Sequence, residues 1–416
     1  MSEKILIVGA GQAGMQIAAS LRDDGFAGDV TIVGEESYVP YQRPPLSKAF
    51  LAGDVDEESL EFRNDHFYRE NNITVVTGEQ IQHVEFGPAG GVATGTSGAT
   101  FAFDKLALTT GAAPRTLKVD GADLDGVLYL RHLDDAKNLK HRWDSVANVV
   151  VLGGGFIGLE VAAVAQKAGK NVTVVQSGPR LMARAVSSIT SDFFVQAHRA
   201  RGTTIHLNAQ VSHLVGENGT VTAVALADGT SIPADIVMVG IGVTARGELA
   251  DQLALDMEDG VIVVNEFAET SNPNVVAAGD AVLMPHPLGH EGRVRLESVQ
   301  NAVDQAKVAA KTLVGQREAY SAVPWFWSDQ ADLKLQIAGL SSGYDQTVIR
   351  GDQSADKFSV LYYRDGALLA IDAVNDVSDY MAVRRALTAR ANIPAESAAD
   401  SSVPLKTLIT GGEAQQ

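Results

Sequence analysis

The chain has 416 residues, of which 45% are hydrophobic and 20% charged, with a formal net charge of −18 and no cysteine. This length exceeds what one hydrophobic core supports, so we expect two or three domains. The acidic balance argues against nucleic acid and anionic membranes as partners, because both bind basic surfaces. The lack of cysteine excludes disulfides, thiolate metal sites, a resident iron–sulfur cluster and cysteine-based redox relays.

A glycine motif follows the first apolar run. Residues 4–14 read KILIVGAGQAG, which places Gly9, Gly11 and Gly14 between a predicted strand and a predicted helix. This G-x-G-x-x-G pattern is typical of a dinucleotide-binding loop, in which the helix N-terminus receives a pyrophosphate. A second predicted strand, at residues 30–33, leads to Glu35, whose carboxylate can accept hydrogen bonds from both ribose hydroxyls.

The segment after this unit is mixed. We predict a Pro-rich loop at 40–45, a helix through 59–71, strands near 73–76 and 101–109, and a domain crossing at 109–115. No apolar run reaches the ~20 residues that span a bilayer. The apolar run at residues 5–8 is too short for the core of a signal peptide, so we expect a cytoplasmic protein.

The glycine motif then repeats. Residues 148–158 read NVVVLGGGFIG, with Gly153, Gly155 and Gly158 at the corresponding places, and a second strand is predicted at 172–175. Two strand–loop–helix–strand units in one chain predict two nucleotide-binding folds.

The second unit departs from the first at the end of its second strand, where Gln176 takes the place of an acid. Glutamine can still hydrogen-bond the adenosine ribose, but it lacks the charge that repels a 2′-phosphate. Arg180 and Arg184 follow closely and can reach a phosphate. Our hypothesis is that the chain uses NADH and tolerates NADPH.

Strands at 203–207, 220–226 and 234–241 are expected to complete the second sheet, followed by a buried strand before Gly279 and Asp280 and a helix at 297–314. The last hundred residues alternate like antiparallel strands, with a hairpin at Asp365–Gly366 and an amphipathic helix at 377–390. We expect a small α+β domain there, and a loop with a frayed end after about residue 395.

Four strings are more specific than the glycines: YQRPPLSKAFL at 41–51, GGGFIGLEVAA at 153–163, RLESVQNA at 295–302 and PWFWSDQ at 324–330. With these strings the chain resembles the NAD(P)H-dependent ferredoxin reductases of oxygenase systems, the group of putidaredoxin reductase, rhodocoxin reductase and the aromatic-ring dioxygenase reductases. The resemblance covers nearly the whole chain. Family members usually carry an acid where this chain has Gln176.

The resemblance implies an α/β fold of the glutathione-reductase type, with two Rossmann-like dinucleotide-binding domains and a small C-terminal α+β domain. The predicted domains are an FAD-binding domain in two parts, 1–112 and 241–318, an NAD(P)-binding domain at 113–240, and a C-terminal domain at 319–416. The predicted FAD-binding residues are Gly9, Gly11, Ala13, Gly14, Glu35, Arg43, Lys48, Ile81, Arg131, Asp280, Val299 and Trp327. The predicted NAD(P)-binding residues are Gly153, Gly155, Ile157, Gly158, Glu160, Gln176, Arg184 and Gly242.

Two charged residues are the predicted catalytic groups. Lys48 follows a rigid Pro-Pro turn that can aim its ammonium into a cleft, where a cation favours the reduced, anionic flavin. Glu160 lies in the helix after the second glycine loop, so its carboxylate can face the nicotinamide or pair with Lys48. The alternatives are a surface lysine and a solvated helix face.

A helix start, the aromatic residues and the histidines give weaker evidence about the site. The predicted helix at 297–314 can direct its positive end, with the Val299 N–H, at a flavin carbonyl. Phe326 is expected in the core, whereas Trp325 or Trp327 can lie against the flavin edge. The nine histidines show no metal-ligand spacing, so we predict no metal site.

Because no thiol can relay electrons, we expect them to leave from the flavin itself. The favoured acceptor is a [2Fe–2S] ferredoxin that serves an oxygenase, with a rubredoxin as a close variant. The alternatives are an NADH oxidase, quinone reductase or semidehydroascorbate-type reductase without a protein partner, and an apoptosis-inducing-type flavoprotein. Arg293, Arg295, Lys334 and Lys406 are candidate docking residues for an acidic ferredoxin. The chain is expected to be a monomer or a weak homodimer.

Overall fold

A computed structural model describes residues 2–87 and 90–412 of the chain. The chain forms two compact units. The first consists of Met1–Gln42, Glu57–Ala113 and Thr244–Pro324, and the second of Arg43–Asp56, Pro114–Val243 and Trp325–Gln416. The predicted domains are defined by the cofactor that each would bind, whereas these two units are defined by their compactness. The predicted division therefore stays a prediction.

The strands, in chain order, are β1 (Lys4–Val8), β2 (Asp29–Val33), β3 (Ile73–Val76), β4 (Ile81–Gly87), β5 (Gly90–Gly95), β6 (Thr100–Phe103), β7 (Lys105–Leu108), β8 (Ala112–Pro114), β9 (Val127–Leu128), β10 (Asn148–Leu152), β11 (Asn171–Val175), β12 (Thr204–His206), β13 (Val211–Glu217), β14 (Thr220–Leu226), β15 (Ser231–Pro233), β16 (Ile236–Val239), β17 (Val243–Ala245), β18 (Met257–Glu258), β19 (Val261–Val263), β20 (Val275–Ala277), β21 (Val282–Pro285), β22 (Arg293–Val294), β23 (Trp325–Gln330), β24 (Leu333–Gly339), β25 (Gln346–Asp352), β26 (Lys357–Arg364) and β27 (Ala367–Val374).

The α-helices, in chain order, are α1 (Gln12–Asp23), α2 (Ala49–Ala52), α3 (Asp65–Glu70), α4 (Leu133–Arg142), α5 (Phe156–Lys167), α6 (Ser188–Ala200), α7 (Glu248–Gln252), α8 (Val299–Leu313), α9 (Val377–Thr388) and α10 (Ala395–Ala398). Among the residues that the structure describes, no helix has the combination of length and apolarity that crossing a bilayer takes.

The first unit is built on a parallel sheet with the strand order β20-β7-β1-β2-β3. Ile5 and Ile7 of β1 belong to a core that also holds residues of α1 and α8, whereas Leu6 and Val8 belong to a second core. Successive strand residues point to opposite faces, so both faces of this sheet are buried. This explains why β1 is a continuous apolar run instead of an alternating one.

The second unit contains a parallel sheet of the same kind, with the order β12-β11-β10-β16-β9. Val150 and Leu152 of β10 pack in one core with Val224 of β14 and Ile232 of β15. Val149 and Val151 point to the other face and are fully buried. The apolar repeat at 148–152 is therefore a central strand, as its composition predicts.

The C-terminal part of the second unit is an antiparallel sheet with the order β23-β24-β27-β26-β25. The predicted hairpin is confirmed, because Asp365 (φ 51°) and Gly366 (φ 75°) make the turn between β26 and β27. The predicted helix at 377–390 is confirmed as α9, which ends at Thr388.

Four sequence-based predictions are wrong in part. The strand predicted at 220–226 forms as β14, but it pairs with β13 and β15 in a separate antiparallel sheet and does not complete the parallel sheet of the second unit. The strand predicted near 101–109 is two strands, β6 and β7, which belong to different sheets. The helix predicted through 59–71 is only α3, which begins at Asp65. Asn64 caps its start, because the Asn64 side chain accepts a hydrogen bond from the Phe67 N–H at 3.1 Å.

The tail after 395 is held by its own unit, instead of frayed, as far as Thr410, which forms an isolated β-bridge with Asn392. Buried Arg350 donates to the carbonyls of Asp400 (2.5 Å) and Val403 (2.8 Å). Because Arg350 is about 50 positions away in sequence, the residues of the tail do not themselves indicate this contact.

Candidate functional site

The first glycine loop, residues 9–14, has two glycines that packing requires and one that faces open space. A Cβ on Gly9 (φ 115°) would lie 2.2 Å from the Thr109 carbonyl oxygen, and one on Gly14 would lie 2.0 Å from the Gly9 oxygen. A Cβ on Gly11 would meet no atom of the described residues within 4 Å. Gly11 also begins α1 without any side-chain cap, so the first N–H groups of the helix are available to an anion. The loop therefore fits a dinucleotide pyrophosphate.

Gly279 brings Asp280 to this loop. A Cβ on Gly279 would lie 3.4 Å from the Ala13 Cβ and 3.9 Å from the Ala302 Cβ, so the glycine sits between the first turns of α1 and α8. The Gly279 N–H donates to the Gln305 Oε1 at 2.8 Å. Predicted residues Ala13 and Asp280 are thus neighbours in the first unit.

The start of α8 is also where the sequence places it. The helix begins at Val299, and the Ser298 hydroxyl caps it by accepting from the Asn301 N–H at 3.1 Å. The Val299 N–H lies in the first turn, where a helix offers no backbone acceptor of its own. It could therefore donate to a ligand, and its assignment to the flavin stays a prediction. Ile81, by contrast, is 7% exposed and contributes to the apolar core beneath β1.

Glu35 has a partner that the sequence does not reveal. Arg246 Nη1 lies 2.5 Å from Glu35 Oε1, and the Arg246 carbonyl accepts from the Thr110 hydroxyl at 2.6 Å. The two charged residues are 211 positions apart, and no motif connects them. The pair holds the Glu35 carboxylate at the end of β2, next to the loop that contains Gly9.

The second glycine loop, residues 153–158, repeats the geometry of the first. A Cβ on Gly153 (φ 103°) would lie 2.2 Å from the Gly240 oxygen, and one on Gly158 would lie 2.5 Å from the Gly153 oxygen. A Cβ on Gly155 would have no neighbour within 4 Å in the part of the chain that the structure describes. Gly155 begins α5 without a side-chain cap. This loop therefore also fits a pyrophosphate.

Two apolar side chains are exposed in the second unit next to this loop. Ile157, in the first turn of α5, is 46% exposed, and Ile241, after the end of β16, is 39% exposed. Exposed apolar groups at the carboxyl edge of a parallel sheet are suited to cover a bound ring. Gly242 (φ 101°) follows, and its carbonyl accepts from the Arg115 N–H at 2.9 Å.

Gln176 closes the second loop. Its Oε1 accepts from the Gly154 N–H at 2.8 Å, so the carboxamide oxygen is used inside the protein. The carboxamide nitrogen is not part of this bond and can donate to a ribose hydroxyl or to a 2′-phosphate. The Gly154 carbonyl in turn accepts from the Met182 N–H at 2.8 Å, which fixes the following segment against the loop.

The two arginines after Gln176 differ in their surroundings. Arg180 donates to the Val186 carbonyl at 2.5 Å and to the Ala183 carbonyl at 2.9 Å, so it braces its own loop. Arg184 is exposed. Its assignment to the NAD(P) site stays a prediction.

Glu160 is buried, with 3% exposure, and does not belong to a solvated helix face. Its Oε2 lies 2.7 Å from the Lys48 Nζ and accepts from the Ser47 hydroxyl at 2.5 Å. Ser47 ends the short 3₁₀ turn Pro44–Ser47, and Lys48 follows it directly. Of the two predicted positions for the Glu160 carboxylate, facing the nicotinamide or pairing with Lys48, the structure shows the pairing with Lys48.

Arg43 and Arg131, both predicted on the flavin side, are also in contact within the second unit. Arg43 Nη1 donates to the Arg131 carbonyl at 2.6 Å and lies 3.4 Å from the His132 Nδ1. The Pro-rich turn is thus held at its first residue by this contact and at its end by Glu160.

The Glu160 carboxylate continues into a buried polar chain. Ser328 Oγ donates to Glu160 Oε1 at 2.7 Å, Gln330 Nε2 donates to Ser328 Oγ at 3.2 Å, and His198 Nε2 lies 2.7 Å from Gln330 Oε1. Burial, and secondarily Arg201, lowers the pKa of His198. Sequence analysis missed these three residues, although the PWFWSDQ string contains two of them.

The aromatic residues of that string lie on both faces of β23, with Phe326 on the face of Ser328 and Gln330. Phe326 is half-buried and packs on Phe156 of α5, with ring centroids 4.5 Å apart. Trp325 and Trp327 are 5.6 Å apart, and the Arg384 guanidinium lies 4.9 Å from the Trp325 ring. Their proposed contact with a flavin stays a prediction. Within residues 2–87 and 90–412, no group of three or more histidine, aspartate or glutamate residues could hold a metal ion.

Comparison with known proteins places this geometry in a family. Residues 3–306 match the family described as pyridine nucleotide-disulphide oxidoreductase, and residues 325–409 match the reductase C-terminal family. Rhodocoxin reductase from Rhodococcus erythropolis is 44% identical over 412 residues, which cover 97% of this chain and 94% of the relative.

Two solved structures resemble the chain over nearly its full length. A ferredoxin reductase from Rhodopseudomonas palustris has a TM-score of 0.93 and 40% identity, with 97% of this chain and 99% of the other covered. A covalent putidaredoxin reductase–putidaredoxin complex has a TM-score of 0.93 and 36% identity, with 98% of both chains covered. The predicted fold class and family resemblance are confirmed, and the chain belongs to the pyridine nucleotide-disulphide oxidoreductases, in their group of ferredoxin reductases.

Proposed function

We propose that this chain is an FAD-dependent NAD(P)H:ferredoxin oxidoreductase that passes single electrons to a [2Fe–2S] ferredoxin feeding an oxygenase. The observation that carries the proposal is the presence of two dinucleotide loops in a chain without cysteine. Flavoproteins that reduce a disulfide substrate through their own cysteine pair need residues that this chain does not have. FAD, when bound, accepts a hydride and can release its two electrons one at a time.

Each glycine loop would hold one dinucleotide. The residues around Gly9, with Glu35, Asp280 and the Val299 N–H, would bind FAD, and the residues around Gly153, with Gln176, would bind NAD(P)H. In each loop the uncapped helix start offers N–H groups to the pyrophosphate, and the open glycine lets it approach.

Lys48 and Glu160 would be the charged groups of the reaction site. Burial keeps water from the Glu160 carboxylate, and the 2.7 Å contact between Glu160 Oε2 and Lys48 Nζ fixes the position of the charged ammonium. Lys48 is 18% exposed at its side chain, so its ammonium lies at the border of the buried region. The Lys48 ammonium would lie on the flavin side, and its contact with Glu160 would restrict the rotation of the lysine side chain.

The partner would dock through basic side chains. Arg293, Lys334 and Lys406 are exposed, whereas Arg295 is only 17% exposed at its side chain and donates to the Asp280 carbonyl at 2.6 Å. Arg295 is therefore better suited to hold the Asp280 loop than to bind a partner. The relatives named as reductases of rhodocoxin and putidaredoxin support a small iron–sulfur protein as the acceptor.

The test is anaerobic. The purified protein is reduced with NADH, mixed with a [2Fe–2S] ferredoxin, and followed by flavin reoxidation in stopped flow. Fast reoxidation that slows as salt rises is expected, because salt screens the docking charges. Rapid turnover with oxygen or quinone and none with ferredoxin would contradict the proposal. So would slow reduction by NADH with a long-lived charge-transfer complex and ligand-dependent dimerisation. The proposed place of action is the cytoplasm, where reduced nicotinamide dinucleotides are available.

A further inference from the structure

The Glu160 carboxylate is held from two sides. Lys48 and Ser47 bind Oε2, whereas Ser328 binds Oε1. In the described parts of the chain these three groups account for the hydrogen bonds of Glu160. A carboxylate bound only through Oε2 could turn about its Cγ–Cδ bond, so the Oε1 contact decides its orientation.

The hydrogen bonds on the Oε1 side all run in one direction. Ser328 donates its only hydroxyl proton to Glu160, so its oxygen must accept from the next group, which is the Gln330 amide at 3.2 Å. The Gln330 oxygen then faces His198 Nε2 at 2.7 Å, which requires the proton of the neutral imidazole to sit on Nε2. Each group orients the next one towards the carboxylate.

The backbone supports this arrangement. Ser328 and Gln330 are two positions apart on β23, so their side chains point to the same face. Both residues are fully buried, and His198 of α6 is 2% exposed. Buried polar groups cost free energy unless they are bonded, and a chain of this length inside a core is therefore kept only where each member has a partner.

We propose that Ser328 is a positioning residue for the Lys48–Glu160 pair, with Gln330 and His198 orienting its hydroxyl. This inference rests on the proposed function, in which that pair serves the reaction. The C-terminal sheet thereby contributes to the reaction site through a hydrogen bond and not only through packing.

Loss of the Ser328 hydroxyl would release the carboxylate and weaken its hold on Lys48. A hydrogen bond to a charged group contributes about 1.5–3 kcal/mol, so an effect of about tenfold or more on the pairing is expected. A lysine held by a carboxylate is acylated slowly, because the ammonium must first leave its partner. The acetylation rate of Lys48 therefore reports the pairing without requiring turnover.

The experiment uses the FAD-loaded protein and pulse acetylation with acetic anhydride, read by mass spectrometry. Ser328→Ala is expected to raise the Lys48 rate about tenfold, and Ser328→Thr, which keeps the hydroxyl, is expected to restore it to within about threefold. Glu160→Gln should raise the rate at least as much as Ser328→Ala.

The matched control is Ser191→Ala. Ser191 is a fully buried serine of α6 whose hydroxyl has no hydrogen-bond partner among the described residues, so its removal should leave the Lys48 rate unchanged. The internal reference is Lys170, whose Nζ donates to the carbonyls of Trp143 (2.6 Å) and Val146 (2.8 Å) in the same unit. An equal rise at Lys170 in Ser328→Ala would mean general loosening and would overturn the positioning role.

An unchanged Lys48 rate in Ser328→Ala would also overturn it. Anaerobic reduction by NADH in the same variants separates this inference from the proposed function. Ser328→Ala should lower the limiting rate about tenfold with little change in the NADH concentration needed for half-saturation. If Glu160→Gln raises the Lys48 acetylation rate but leaves the limiting rate of reduction by NADH unchanged, the positioning role of Ser328 is retained. The assignment of the Lys48–Glu160 pair to the reaction site is then wrong.

Discussion

The two glycine loops of this protein share a backbone and differ in the side chain that closes them. Gly9 and Gly153 have φ values of 115° and 103°, and a Cβ on either would lie 2.2 Å from a carbonyl oxygen. At the end of the following strand, however, Glu35 binds Arg246, which lies far away in sequence, whereas Gln176 binds Gly154 of its own loop. The shared backbone suits any dinucleotide pyrophosphate. We propose that the closing residue distinguishes the ribose that each loop accepts.

The largest expected effect comes from the glycines that packing requires. Gly9→Ala and Gly153→Ala each force a Cβ onto a carbonyl oxygen at a positive φ, and each should lower the free energy of unfolding by about 3 kcal/mol. Denaturant unfolding of each variant measures this. Gly155→Ala is the control, since its Cβ would enter open space. Equal stability of Gly153→Ala and Gly155→Ala would show that the two loops do not depend on this backbone.

The open glycines should separate the two cofactors. Gly11→Ala and Gly155→Ala should leave the fold intact, while each places a methyl group where a pyrophosphate would approach. We expect a cost of about 2 kcal/mol, or about 30-fold in affinity, for the cofactor of that loop alone. FAD titration of the apoprotein and NADH titration of the FAD-loaded protein measure the two affinities. A loss of NADH affinity in Gly11→Ala with FAD binding unchanged would reverse the assignment of the loops.

Replacing Gln176, which closes the second loop, with a glutamate like that of the first loop tests the choice between NADH and NADPH. Gln176→Glu keeps an acceptor for the Gly154 N–H and adds a negative charge that repels a 2′-phosphate. We expect kcat/KM for NADPH to fall about tenfold relative to that for NADH, a change of about 1.4 kcal/mol. Steady-state kinetics with both donors checks this ratio, and Glu35→Gln should leave it unchanged. A parent protein that already prefers NADH by several hundredfold would refute the tolerance of NADPH.

The smallest effect is expected at the Glu35–Arg246 pair. Both side chains are about a quarter to a third exposed, at 30% and 25%, so solvent screens their attraction. Arg246→Gln should weaken FAD binding about threefold, a change of about 0.7 kcal/mol, because Glu35 loses the group that orients it. Fluorescence titration of the apoprotein with FAD measures this, with NADH affinity as the unaffected reference. A change of more than tenfold would assign Arg246 a direct contact with FAD.

Much of the site could be predicted from local patterns. The glycine spacing, the apolar strands before it and the Pro-Pro turn before Lys48 are short-range features, and each imposes its geometry within a few residues. The pairing of Lys48 with Glu160 was one of two alternatives, because the helix after the second loop restricts where that carboxylate can point.

Other parts had no local signal. Arg246 binds Glu35 across 211 positions, and Ser328 binds Glu160 across 168. Arg350 holds the tail that composition predicts to be frayed. Such contacts depend on which strands and helices become neighbours when the chain packs.

The amino-acid sequence by itself determined the two dinucleotide loops, their strands and helices, the family, and the absence of a cysteine relay in this chain. Only the tertiary structure decided the partners of Glu35, Gln176 and Glu160. The reason is physical: backbone conformation follows from neighbouring residues, whereas a buried side chain takes the hydrogen-bond partners that packing brings within about 3 Å.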